Sequence, residues 1–397
     1  MKFIHLADLH LGKKVFGYDL EEEQQDVLRQ VLELADQREA DGVLICGDVF
    51  DTAAPPVNAV ELFDWFLSEL YQRSLDVFII SGNHDSAGRL QFGSRIFSES
   101  RIHIASRWNG AVEYADLEKN GEKVRIHMLP FIKPGMVRRI LNTEDKTWSE
   151  AIQSALNQAS LDPEACNILL SHQYYRGAKP CESEVSNIGT LDEVDCACLE
   201  PFDYAALGHL HNPQPAGRRQ NRYPGTLLKF SASELGVRKT ITLIDTRAEN
   251  TQGNPGEPHG ETAAASSGAD SGVYIEEIPV HPLRDMVRIQ GLYDQVVSKD
   301  FRQTVDPENY VYIVLDDPSE QFDAFEKLRT IYPRILKVEY SSLPEEHSLD
   351  EYSAAETRSK SPEEIIREFY KQQNDSEMDD EQIVMIKQCL EEMYEAD

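Results

Sequence analysis

No apolar run in this sequence approaches the roughly 20 residues that cross a bilayer. Its first residues, Met1-Lys2-Phe3-Ile4-His5, enter a strand-like pattern with no signal-peptide apolar stretch and no small-residue cleavage site. Both absences argue against membrane insertion and export, and a cytoplasmic location is the expectation. CxxC pairs are missing too. The six cysteines stand at 46, 166, 181, 196, 198 and 389, a scatter that excludes a zinc ribbon and fits thiols in a reducing compartment. Cys196 and Cys198 form one pair without a second, which reads as packing. Basic charge is the third shortage: 39 Lys and Arg face 70 Asp and Glu, a net charge of -31. A duplex binder normally neutralises phosphates with Lys and Arg, so this chain alone is expected to hold DNA weakly, with a basic partner supplying much of the grip. Part of the excess falls after residue 344, in runs such as Glu363-Glu364 and Asp379-Asp380-Glu381. Carboxylates that bind cations would account for more.

What is present is ordinary for a globular chain, 41% hydrophobic and 27% charged. Its 397 residues exceed the roughly 250 to 300 at which single cores stop growing, so one large domain with appendages is expected. Periodicity predicts strands at Lys2 to Ala7, Gly42 to Cys46 and Leu75 to Ile80, separated by helices over Leu20 to Arg38 and Val57 to Tyr71. That alternation implies right-handed crossovers and a sheet covered by helices. Further strands are expected at Lys123 to Met128, Asn167 to Ser171 and Tyr204 to Leu207, with a helix over Trp148 to Ala159. Strands at Thr226 to Phe230, Lys239 to Asp245 and Val273 to Ile278 would close the α/β core with an antiparallel layer. A Gly-, Ser- and Pro-rich stretch over about 247–272 reads as a disordered loop between two of these.

From about 280 to 343 the order strand, helix, strand, helix, strand (Met286 to Gln290, Val311 to Leu315, Phe322 to Ile331 and Ile335 to Tyr340) predicts a small separate α/β unit. The rest, 344–397, carries two amphipathic helices, Ser361 to Tyr370 and Glu381 to Tyr394, whose apolar stripes need something to pack against.

Five short motifs each follow an apolar run: Asp8-Leu9-His10, Gly47-Asp48-Val49-Phe50-Asp51, Gly82-Asn83-His84-Asp85, Ser171-His172 and Gly208-His209-Leu210-His211. Each therefore falls where the chain leaves the sheet at a carboxyl end, the edge at which open α/β sheets bind ligands. Asp8, His10, Asp48, Asn83, His172, His209 and His211 offer imidazole nitrogens and carboxylate or amide oxygens, a mixed set suited to Mn, Fe or Zn and containing no thiolate. Seven ligands are too many for one ion and serve two if a carboxylate bridges them.

This series resembles the calcineurin-like metallophosphoesterases. The Gly-Asp-Val-Phe-Asp, Ser-Gly-Asn-His-Asp-Ser, Ala-Leu-Gly-His-Leu-His and Tyr-Pro-Gly-Thr-Leu-Leu-Lys-Phe-Ser-Ala-Ser-Glu stretches are similar to the nuclease subunits of bacterial SbcCD-type complexes. The resemblance implies a four-layer α/β fold: a β-sandwich flanked by helices over 1–279, a small α/β capping domain over 280–343 and C-terminal helices over 344–397. It implies that Asp8, His10, Asp48 and His211 hold one divalent cation and that Asp48 bridges to a second held by Asn83, His172 and His209. Mn2+ is the expected ion, with Mg2+, Fe2+ or Zn2+ as alternatives. His84 matches the family's catalytic histidine. Asp51 falls where some relatives carry a second histidine, and its expected role is to orient His84. The implied activity is a DNA exonuclease on double-stranded ends and endonuclease on single strands and hairpins, in DNA repair and recombination. The implied partners are DNA, the SMC-like ATPase SbcC bound through the C-terminal helices, and a second copy of the chain.

Blander uses compete for several of these residues. His5 shares a strand face with Phe3 and Ala7 and reads as structural; Asp85 reads as a turn cap. Leu62, Trp65 and Phe66 could form a dimer contact or pack on the sheet. Arg89, Lys13, Lys14, Arg176 and Lys179 could touch a phosphate or simply face solvent. Two other functions are open, a stand-alone phosphatase or small-molecule phosphodiesterase and a non-catalytic scaffold. Against the first, Gly47-Asp48-Val49-Phe50-Asp51 is not followed by the Arg-Gly typical of protein phosphatases. Against the second, every ligand position is filled.

Overall fold

Alternation along the first strand sets the layering. Ile4 and Leu6 point to one side and join Val43, Ile45, Val77 and Ile79, while Phe3 and Ala7 join Leu44, Phe78 and Ile80 on the other. Side chains of successive strand residues face opposite ways, so a sheet apolar on both faces must be covered twice. The computed structural model describes residues 1–94, 100–181, 193–247, 272–319, 323–341 and 383. In it β1 (Lys2–Leu6), α1 (Glu21–Arg38), β2 (Gly42–Cys46), α2 (Val57–Gln72), β3 (Asp76–Ile80) and β4 (Ile102–Ala105) build a parallel sheet with helices on its outer face. The chain then forms β5 (Glu113–Lys119), β6 (Glu122–Leu129), α3 (Pro134–Leu141), α4 (Trp148–Leu156), β7 (Cys166–His172), β8 (Tyr204–Gly208), β9 (Gln214–Ala216) and β10 (Arg218–Tyr223). These strands make a second six-stranded sheet, ordered β9-β10-β8-β7-β6-β5. β11 (Thr240–Asp245) and β12 (Tyr274–Pro279) return to the first sheet and extend it antiparallel from β1, giving β12-β11-β1-β2-β3-β4.

The two sheets pack through Phe3, Leu44, Phe78, Ile126, Ile168, Leu170 and Tyr204. α1 and α2 cover the outer face of the first sheet, and α4 that of the second, where Leu129, Leu169, Ala205 and Leu207 meet Ala151, Ile152 and Ala155. The result is the expected four-layer α/β arrangement. A separate parallel sheet of β13 (Met286–Gly291), β14 (Tyr310–Leu315) and β15 (Ile335–Tyr340), with α5 (Ala324–Arg329), has its own core around Ile289, Ile313, Leu328 and Tyr332. It seats on α1: Tyr310 donates to Glu23 Oε1 at 3.0 Å and Arg284 Nε lies 2.8 Å from the same oxygen.

Three sequence expectations change, and a strand that was not expected appears. Thr226 to Phe230 is not a strand: the Thr226 amide bonds His211 O, its Oγ1 turns to Leu228 O, and Leu227, Leu228 and Phe230 fill space beside α1. Their apolar pattern came from packing, not from a ladder. In its place Arg218–Tyr223 is a strand that its polar sequence concealed, with Arg222 paired to Glu277 and Arg218 to the Leu199 and Phe202 carbonyls. Between β13 and β14 the chain makes two short helical turns, Tyr293–Val296 and Lys299–Arg302, instead of one helix. The described helix before β15 is Ala324–Arg329, shorter than Phe322 to Ile331. Most of the 247–272 loop and nearly all of the two C-terminal helices lie outside the described residues. Among the described residues no helix is long and apolar enough to cross a membrane.

Leu62 and Phe66 of α2 are buried against the sheet, Phe66 completely, while Trp65 is half-buried beneath Arg29. Packing therefore takes the two residues that sequence offered equally to a dimer contact. Phe66→Ala should cost about 3 to 5 kcal/mol in urea unfolding, as for a buried ring deletion, whereas Val60→Ala on the exposed side of α2 should change stability by no more than about 0.5 kcal/mol. A near-neutral Phe66→Ala would contradict this packing.

Candidate metal centre

Five strand ends meet at one edge of the sandwich. Asp8 and His10 follow β1, Asp48 follows β2, Asn83 and His84 follow β3, His172 ends β7, and His209 and His211 follow β8. Backbone bonds sew the loops together: Asp8 N to Gly47 O at 3.0 Å, His10 N to Asp48 O at 3.0 Å and Leu11 N to Val49 O at 2.9 Å. Asp8, His10, Asp48 and His209 all adopt positive φ, from 43° to 108°, which non-glycine residues avoid and which clusters at functional sites. Two glycines let the loops approach. A Cβ on Gly82 would lie 2.1 Å from Asp48 Oδ1, and one on Gly208 would lie 1.8 Å from the Cys46 carbonyl oxygen.

The seven predicted ligand residues converge. Asp48 Oδ2 lies 3.3 Å from His172 Nε2 and 3.9 Å from His10 Nε2. Asn83 Oδ1 lies 3.0 Å from both His172 Nε2 and His209 Nδ1. Ligand atoms of Asp8, His10 and His211 fall within 4.8 Å of one another, as do those of Asp8, Asp48 and His172. Donors bound at roughly 2.0 to 2.2 Å to one cation sit about 3 to 3.5 Å apart at tetrahedral or octahedral angles, close to the spacing seen here. His10 supplies a second sign of fit. It is buried, and neither ring nitrogen makes a hydrogen bond, although Asp51 Oδ1 lies 3.4 Å from Nδ1. Orphaned buried nitrogens are costly, and a cation would take one of them. The residues present suit divalent metal ions.

Electrostatics follow from burial. Burial pushes the Asp8 carboxyl up, and with Asp48 adding to it and His172 opposing, it reaches about 7. Burial acts the same way on Asp48, yet His172, His10 and His84 together hold it below the usual carboxylate range. Burial pulls His172 down, and Asp48 outweighs that to raise it to about 9. His10 and His209 go the other way, to about 4 and about 3, chiefly through burial. Both are neutral at pH 7, the form in which imidazole binds a cation.

His84 and Asp51 differ from expectation in detail. His84 Nδ1 is 2.9 Å from the Asp51 backbone carbonyl, so it donates there; the Asp51 carboxylate instead meets Lys13 Nζ at 2.7 Å and faces His10. The orienting contact is a main-chain one, which a residue type cannot reveal.

Three positioning groups, of which Gln24 and Glu234 are buried, have no such role in the sequence pattern. Asp85 accepts from the amides of Gly82, Val49 and Phe50, tying the second motif to the third. Gln24 of α1 donates to His10 O at 2.8 Å and accepts from Gly12 N at 3.1 Å. Glu234 sits 3.6 Å from His211 Nδ1 and takes Lys239 Nζ at 2.5 Å. Glu234 had a signal as the end of the Ser-Ala-Ser-Glu stretch, and Asp85 as the last residue of its motif, where it reads as a turn cap; Gln24 had none. His5 bonds Tyr204 Oη and Leu207 O between the sheets, the structural use expected of it. Of the basic candidates, Lys13 pairs with Asp51, Lys14 with Asp19 and Arg176 with Glu193, while Arg89 donates to the Ala53 carbonyl. The Lys179 amide donates to Gln214 Oε1.

Residues 1–213 match the calcineurin-like phosphoesterase family, and residues 282–374 match the Type 5 capsule protein repressor C-terminal domain. A curated relative, the SbcD component of the nuclease SbcCD from Staphylococcus epidermidis, is 30% identical over 397 residues, spanning 98% of this chain and 98% of the relative. Among solved structures, a dimetal phosphatase from Danio rerio is 13% identical, covering 62% of this chain and 92% of that one with a TM-score of 0.34. The NAD nucleotidase of Haemophilus influenzae is 14% identical, covering 62% and 46%, with a TM-score of 0.29. Neither of these distant likenesses bears on the site. Matched by the family over more than half its length and by the staphylococcal nuclease component nearly end to end, this chain belongs to the calcineurin-like phosphoesterases and, among them, resembles SbcD.

Proposed function

We propose that this chain is the metal-dependent nuclease subunit of an SbcCD-type complex, cutting double-stranded DNA ends as an exonuclease and single strands and hairpins as an endonuclease, in DNA repair and recombination. The observation that carries the reading is the convergence of seven candidate ligand residues from five strand ends, with Asp8, His10 and His172 beside the Asp48 carboxylate. The staphylococcal relative, similar along nearly the whole chain, supports DNA as the substrate and SbcC as the ATPase partner. Residues 344–397 would serve the ATPase, and a second copy of the chain would complete a heterotetramer.

Asp8, His10, Asp48 and His211 would hold one cation, and Asp48, Asn83, His172 and His209 the other, Mn2+ in the first instance. Such a pair supplies Lewis-acid charge for the phosphate oxygens and a more acidic attacking water. The chain's own residues do the rest. Asp48 stays ionised and joins the two ligand sets. In its imidazolium form His84 would donate through Nδ1 to the Asp51 carbonyl, which fixes the ring and leaves the Nε2–H to give its proton to the departing oxygen. The Asp51 main chain thus positions the proton donor, and its carboxylate, paired with Lys13, flanks His10.

Three outcomes test this reading. His84→Ser should reduce cleavage by about 100- to 10,000-fold, the usual worth of a general acid, while bound metal measured by elemental analysis stays unchanged; full activity in the variant would remove His84 from the chemistry. The purified chain with Mn2+ should open a DNA hairpin faster than it hydrolyses a small aryl phosphodiester, and the reverse preference would favour the small-molecule phosphodiesterase. Metal affinity should also depend on pH. A cation must displace the protons held by Asp8 at about 7 and His172 at about 9, so affinity rises with pH through that window and falls below it. The slope approaches about tenfold per pH unit for each proton displaced. Manganese titrations from about pH 6 to about pH 9 read it, and a flat profile would count against these two residues as ligands.

A further inference from the structure

His211 belongs to two clusters. One is the group with Asp8 and His10 described above. In the other, a ring nitrogen of His211, Cys181 Sγ and a carboxylate oxygen of Glu234 all lie within 4.8 Å of one another, and all three residues are buried. We propose that Cys181, His211 and Glu234 form a thiolate-containing site for a soft divalent cation, zinc above all, and that filling it takes His211 from the phosphoesterase centre. The effect on cleavage rests on the reading of His211 as a ligand there; the cation site itself does not.

The donor set selects the ion. Sulfur, imidazole nitrogen and carboxylate oxygen are the three ligand types zinc accepts together, commonly with three protein ligands and an open fourth position. Manganese and magnesium favour oxygen and gain little from sulfur. The seven-residue centre has no thiolate, so the two clusters differ in the property that separates these metals.

Glu234 is held ready for this use. Its Oε2 takes Lys239 Nζ at 2.5 Å, while Oε1, which accepts from Ser231 Oγ at 2.9 Å, faces His211 Nδ1 at 3.6 Å. Charge balance explains why the cysteine matters. One carboxylate, already paired with the Lys239 ammonium, leaves two positive charges uncompensated around a dication, and a thiolate removes one of them. Binding therefore expels the Cys181 proton to solvent.

Competition follows from the imidazole itself. A neutral histidine carries a lone pair on one ring nitrogen and a proton on the other. It can therefore serve one cation at a time. Zinc bound through His211 Nδ1 beside Glu234 leaves Asp8 and His10 without their third partner.

The test uses the full-length chain and its Cys181→Ser and Cys181→Ala variants, none of which alters the seven-residue centre. With manganese present, zinc should inhibit DNA cleavage by the wild type at concentrations at least about 10- to 100-fold lower than for either variant, since losing even a residue that only supports a metal ligand costs that much affinity, while zinc-free cleavage stays the same in all three. Cobalt(II) added to metal-free wild type should give a near-ultraviolet thiolate-to-cobalt band that both variants lack. Equal zinc sensitivity, a missing band in the wild type, or a band that persists in the variants would each overturn the proposal. Should manganese support no cleavage in any form, the nuclease reading fails, and the cobalt band alone decides whether the thiolate site exists.

Discussion

A carboxylate removed from water keeps its charge only where cations or hydrogen-bond donors surround it, and this chain is arranged around one such group. The Asp48 side chain is 3% exposed, His172 Nε2 stands at 3.3 Å, and the His84 amide donates to its Oδ1 at 2.8 Å. Both sheets contribute to that environment, Asp48 and His84 from strand ends of the first and His172 from the second. Gly82 lacks a Cβ because Asp48 occupies the space. Positive φ at Asp8, His10, Asp48 and His209 costs of order 1 to 3 kcal/mol at each residue. The sandwich must over-determine these loops to sustain it.

That dependence explains what the sequence made legible. Each candidate ligand lies within a few residues of an apolar strand, and a polar pair placed there recurs five times in a set order, so strand ends and candidate ligand residues could be read together. The four layers followed from the alternation of strands and helices. Groups that act across long separations left no comparable trace. Gln24 reaches back from a helix to the His10 carbonyl, and its position on α1 reads as one more polar residue. Asp85 looked like a local cap, whereas two of its three amide partners lie in another motif. Thr226 to Phe230 misled in the opposite direction, since apolar residues that fill a corner look like those of a strand. Arg218–Tyr223 misled because its charges are satisfied by particular partners that no periodicity encodes.

The acidic balance has a local counterpart at the site. Lys13, beside the site, is engaged by Asp51, and Arg176 by Glu193, so these positive charges are already partly neutralised. A polyanion approaching this edge gains little from such side chains. Cations held by buried carboxylates would be a local source of positive charge, and under the proposed function the grip on substrate and the chemistry would depend on the same ions.

His10 shows how the candidate ligand loops are fixed in advance. Its ring nitrogens lie buried without hydrogen bonds, an arrangement that costs about 1 to 3 kcal/mol for an unsatisfied polar group. It persists because the backbone around it has no freedom to relieve the cost: His10 N is bound to Asp48 O, and His10 O to Gln24. Gln24 follows Glu23, the residue on which Tyr310 and Arg284 of the small α/β unit seat. One turn of α1 therefore holds the first ligand loop on one side and the adjoining unit on the other. A loop held this firmly loses little entropy when a cation arrives, so the energy stored in the orphaned imidazole becomes available to binding.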